Sequence, residues 1–114
     1  MAKITKNILD KSSGKHANGV KSNLYRKEDQ NSVLIKTVQT NSDGRCDEAL
    51  LSDKDFIVGC YELEFAIDQY FKGNRVDSPF LRDVVVRFYI TEESENYHVP
   101  LLISPFSYST YRGS

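Results

Sequence analysis

Few side chains in this sequence can move a proton near neutral pH. There are two histidines, His16 and His98, and imidazole is the side chain whose unperturbed titration falls in that range. His98 stands in the run Tyr-His-Val-Pro-Leu-Leu-Ile-Ser. Strand alternation puts Tyr97, Val99, Leu101 and Ile103 on one face and His98, Pro100, Leu102 and Ser104 on the other, so the imidazole points away from the apolar face. His16 falls among turn formers and reads as a surface residue. Arg45 follows a tight Asn-Ser-Asp-Gly turn. Its permanently charged guanidinium can fork onto planar oxygen-bearing groups and steady an oxyanion. Taken singly, each of these is an ordinary surface or structural residue. Cys46, beside Arg45, reads as a small packed side chain, with no base visible nearby to activate it. The chain closes on Tyr111-Arg112-Gly113-Ser114 after a dense apolar and aromatic stretch. Termini are ordinarily the loosest part of a domain, yet this one has the composition of part of a site.

Short strands must position these groups. Lys3 to Leu9, Val20 to Arg26, Val33 to Thr40, Gly59 to Phe65, Val84 to Ile90, Tyr97 to Ser104 and Phe106 to Tyr111 all carry strand patterning, and Ala49-Leu50-Leu51 has the look of a short edge strand. Ser12 to Gly19 and Lys27 to Asn31 read as polar connections, Thr40 to Gly44 as a strong turn, and Glu92 to Asn96 as an acidic turn. Ala66 to Lys72 is the one helix expected, stopped by Gly73-Asn74. Pro100 cannot donate to a ladder and marks an edge or a bulge. Seven or eight strands at this spacing predict an all-β, two-sheet sandwich, one domain over residues 1–114.

The 114 residues carry a net charge of −1 with both signs interspersed. That balance argues against nucleic acid as a partner. No apolar run is long enough to cross a bilayer as a helix. Two cysteines without a secretory signal point to reduced thiols and to the cytoplasm, or the periplasm if a leader has been removed. Without a Cys-x-x-Cys or a close histidine pair, no zinc site is expected. The residues alone lead to a soluble β-sandwich and no further.

Three words in this order, ILDKSSGKHANGV, TNSDGRC and YHVPLLISPFSYSTYRGS, change that. Together they resemble the transthyretin-like family over essentially the whole chain, and the Tyr-Arg-Gly-Ser ending resembles its hydroxyisourate hydrolase branch rather than the hormone carriers. The resemblance implies a transthyretin-like sandwich with one short helix, assembled as a homotetramer, a dimer of dimers, with the sites in a channel between dimers. It implies hydrolytic opening of a cyclic amide in 5-hydroxyisourate, a small-molecule substrate of urate breakdown, to an imidazoline carboxylate without metal or organic cofactor. Arg45 matches the family's site arginine. His98 matches a site histidine that takes a proton from the attacking water or delivers one to the leaving nitrogen. Tyr111, Arg112, Gly113 and Ser114 match the terminal tetrapeptide that lines the substrate pocket, where Tyr111 offers a ring and a hydroxyl and Ser114 a hydroxyl and the terminal carboxylate.

One position departs from the pattern. The family has a histidine before Val/Ile-Leu-Asp, and this chain has Asn7. An amide can hold water or substrate by hydrogen bonds but takes up no proton at neutral pH. Three readings of Asn7 stand at this point: an engineered substitution, a natural variant in which His98 alone moves protons, or a non-catalytic relative that binds a small ligand in the same channel.

Overall fold

The computed structural model describes residues 3–46, 49–52, 57–74, 80–92 and 96–113. They form two sheets and one helix. β1 (Lys3–Asp10), β2 (Lys15–His16), β5 (Leu51–Ser52), β8 (Tyr97–Ile103) and β9 (Tyr108–Thr110) make one sheet in the order β2-β1-β8-β9, with β5 also pairing β1. β3 (Lys21–Glu28), β4 (Asn31–Gln39), β6 (Gly59–Phe65) and β7 (Val84–Ile90) make the other in the order β4-β3-β6-β7, and the helix α1 (Ile67–Gly73) follows β6.

Alternating apolar residues drive this arrangement. Ile4 and Ile8 of β1, Leu24 of β3, Tyr61, Leu63 and Phe65 of β6 and Leu101 and Ile103 of β8 meet between the sheets with almost no exposure. Phe71 anchors the helix to the same core. Asp10, from the Ile-Leu-Asp word, is buried for a structural reason. Its carboxylate accepts hydrogen bonds from the Ser12 N–H (3.0 Å) and from the Tyr70 hydroxyl (2.9 Å), which ties α1 to the end of β1.

The expected elements form, with four differences. The loop over Ser12–Gly19 contains β2, which pairs Leu9 with His16 and Asp10 with Lys15. The polar connection over Lys27–Asn31 is mostly strand: β3 and β4 run on until two residues remain, with Asp29 in left-handed backbone at φ 55°. The last strand is shorter than expected. Pro100 marks neither an edge nor a bulge, because β8 lies between β1 and β9 and pairs in unbroken parallel register with β1. The β8–β9 register that sets Leu101 opposite Thr110 stops there and resumes at His98 opposite Gly113. Proline's missing N–H opens the ladder between those points, and the Thr110 hydroxyl instead donates to the Pro100 carbonyl (2.7 Å). The acidic turn lies mostly outside the described residues, at 93–95. Both cysteines are free thiols.

Candidate active site

The parallel pairing of β1 and β8 builds the centre of the site. It places Thr5 beside His98 and Asn7 beside Pro100, on the sheet face turned away from the core. Thr5 Oγ1 lies 2.8 Å from His98 Nδ1, across 93 residues of sequence. Asn7 follows Thr5 on the same face, one pleat farther, about 6–7 Å along the strand. His98, Thr5 and Asn7 are all half-buried.

Arg45 reaches this neighbourhood through a clipped turn. Asn41 accepts through its side-chain oxygen from the Asp43 and Arg45 N–H groups (2.9 and 3.2 Å), and its own N–H donates to the Arg45 carbonyl (2.6 Å). Gly44 adopts φ 71°, and its carbonyl accepts from the Ile8 N–H (2.9 Å), so the loop is fastened to β1 next to Asn7. A side chain at Gly44 would run into the Ile8 carbonyl, which is why glycine is required here beyond its backbone freedom. Arg45 itself stays exposed. Burial, and then the nearby Arg45 charge, hold the His98 imidazole below its usual titration range, with Thr5 opposing the shift. His98 is therefore neutral at pH 7, the form that can accept a proton from water. With His16 as the other imidazole, a ring-proton NMR titration should show His98 titrating below pH 6.5. In Arg45→Gln the midpoint should move up, since the repelling charge is gone.

The terminal segment closes over His98. The Gly113 N–H donates to the His98 carbonyl (2.8 Å). A Cβ on Gly113 would stand 2.7 Å from His98 Cδ2, a distance no methyl group tolerates, so this glycine sets how closely the tail approaches the imidazole. Gly113→Ala should lower turnover about tenfold to a hundredfold by displacing one or the other, without a comparable loss of thermal stability. Arg112 stacks its guanidinium 4.3 Å above the Tyr97 ring and donates to the Asn96 carbonyl (3.3 Å), anchoring the segment. Tyr111 is 60% exposed. Ser114 lies outside the described residues.

A cavity of about 320 Å³ opens along the edge between β7 and the terminal segment, lined by Val86, Phe88, Tyr97, His98, Tyr111 and Arg112 among others. Arg45 and Asn7 do not line it. Its walls are mostly apolar, and His98, Tyr111 and Arg112 bring polar groups to it.

Two residues of consequence carry no signal in the motif words. Thr5 is one. The other is Lys6, which points into the sandwich at 3% exposure, between Ile4 and Ile8 on the inner face. Its amine has no hydrogen-bond acceptor among the described residues. Cys46 is the packed side chain the sequence suggested, set against the core, and it lies close enough to the Lys6 amine to favour the ammonium, though out of hydrogen-bonding geometry; burial outweighs it and pushes the Lys6 pKa down. Alternation around Ile4 and Ile8 would have placed both residues on their faces. Nothing local would have given their partners.

The profile of the HIUase/Transthyretin family matches residues 4–113. The chain belongs to this family. Among its relatives, the 5-hydroxyisourate hydrolase of Pseudomonas aeruginosa is 48% identical, over 100% of this chain and 93% of that one. The solved 5-hydroxyisourate hydrolase of Klebsiella pneumoniae superposes with a TM-score of 0.85 at 32% identity, covering 100% of both chains. (S)-allantoin synthase superposes with a TM-score of 0.92 at 37% identity, and the match spans 99% of this chain but 44% of the synthase. The transthyretin-like fold expected from the sequence is the one observed, and the half-buried outer face of β1 and β8 carries His98, with Gly113 packed against it.

Proposed function

We propose that this protein hydrolyses 5-hydroxyisourate, opening its cyclic amide. The observation that supports the reading is His98 held by Thr5 on the outer face of the sheet, with the Gly113 end of the tail against it and the Arg45 charge nearby, in a chain 48% identical to a hydrolase of that substrate. His98 Nε2 takes a proton from water as the water oxygen attacks the ring carbonyl carbon. Arg45 stabilises the oxyanion that forms there. The carbon–nitrogen bond then breaks, and the leaving nitrogen receives its proton from Nε2, which returns the imidazole to its starting state. Asn7 holds water or substrate by hydrogen bonds but moves no proton.

The test follows the ultraviolet absorbance of freshly generated 5-hydroxyisourate as it decays, against the spontaneous rate. The protein should exceed that rate, and Arg45→Ala should lose about 10²–10³-fold. Decay at the spontaneous rate for both the parent and its Asn7→His variant would sink the reading.

The working form is a homotetramer. Among the described residues β7 and β9 each end a sheet with one edge unpaired, and Val85, Tyr89, Phe106 and Tyr108 stand exposed on or near them. Such edges invite pairing with further copies, and sedimentation equilibrium should report a mass of four chains.

A further inference from the structure

Within the proposed hydrolase reading, we infer that Thr5 is a positioning residue, one that holds the ring plane of His98 and biases which ring nitrogen carries the proton. The contact is Thr5 Oγ1 to His98 Nδ1 at 2.8 Å, and it is set by backbone register: Thr5 and His98 are partners in the parallel β1–β8 ladder. Threonine is β-branched and stiff at χ1, so the hydroxyl is held where the register puts it. With Nδ1 engaged on β1, Nε2 is the nitrogen left to meet substrate and water.

The choice of a hydroxyl matters chemically. A carboxylate at Nδ1 would make the ring more basic and hold its proton on Nδ1. A hydroxyl both donates and accepts. Accepting from Nδ1–H, it leaves the Nε2 lone pair free as a base. When Nε2 has taken the proton of water, Nδ1–H still donates to Oγ1, so the ring is held in one plane through both protonation states. The charged and titratable surroundings fit that role. From the loop after β4 the neighbour is Arg45, which disfavours the imidazolium. From the terminal segment Gly113 offers an N–H to the His98 carbonyl, and Arg112 is turned onto Tyr97. On β1, Lys6 points to the opposite face. Among the described residues Thr5 is the side chain that hydrogen-bonds the ring.

Thr5→Val keeps the shape and removes the hydroxyl, and Thr5→Ser keeps the hydroxyl. Nitrogen-15 NMR of His98 reads the tautomer directly, and kcat and KM for ring opening are measured across pH. In Thr5→Val the tautomer ratio should shift, and kcat should fall about tenfold to a hundredfold with KM nearly unchanged. Thr5→Ser should restore both. A Thr5→Val protein with the parental tautomer ratio and pH profile overturns the inference, as does a folded Thr5→Ser no better than valine. If Thr5→Val does not fold, the serine variant decides alone: it must keep the parental tautomer and profile, and a shift in either overturns the inference. The NMR readout needs no turnover, so failure of the hydrolase reading and failure of this inference are told apart.

Discussion

Asn7→His is expected to raise the rate of 5-hydroxyisourate opening by about 10²–10⁴-fold, the usual contribution of one well-placed general acid or base. Asn7 lies on the same face as Thr5, and hence as His98, one pleat along β1. An imidazole there would stand some 6–7 Å beyond the Thr5–His98 pair, a separation across which two groups can flank a flat heterocycle. One ring can then take the proton from water while the other delivers one to the leaving nitrogen. In the parent His98 must do both in turn. The comparison is between kcat values of the parent and the variant, each corrected for spontaneous decay. A fast parent with an unchanged variant would show that His98 and Arg45 suffice and that Asn7 is an accommodated natural choice. A slow parent and a fast variant would locate the deficit in the missing imidazole.

Lys6→Met is expected to stabilise the fold by about 1–3 kcal/mol, the cost usually recovered when a buried polar group without a hydrogen bond is replaced by an apolar one. Lys6 is 3% exposed, its amine lacks an acceptor among the described residues, and its pKa lies below the ordinary 10.5. The sign of the pH dependence follows from that direction. Between the lowered folded value and 10.5 the unfolded chain binds more protons, so stability rises with pH across that window. Below the window the penalty is constant, and above 10.5 the amine is neutral in both states and costs nothing through ionisation. Thermal melts at fixed protein concentration, taken from neutral pH to beyond pH 10, should show this rise in the parent and lose it in Lys6→Met. A melting temperature unchanged by the substitution at pH 7 would mean that the amine finds solvation despite its burial.

Most of the fold was legible in the sequence because strands announce themselves locally. Tyr61-Glu62-Leu63-Glu64-Phe65 and Val84 to Ile90 alternate apolar residues with a period of two, and both became strands with the expected inner faces. Helix α1 stops where Gly73-Asn74 stops it. The motif words carried family membership and named His98, Arg45 and the tail, because a site word records residue identity at fixed spacing. Pairing between distant strands leaves no local trace. That β1 runs parallel to β8, that Thr5 therefore meets His98, and that Pro100 sits in a central strand and not at an edge are consequences of packing two sheets around one core. The same holds for Lys6. Its face could be read from Ile4 and Ile8, but the energetic cost of that face depends on what the opposite sheet and the loop through Cys46 bring to it. Side-chain type and alternation are properties of neighbours in sequence, and the sequence alone determined those. Register, burial and the field at a titrating group are properties of neighbours in space, and those were decided by the tertiary structure.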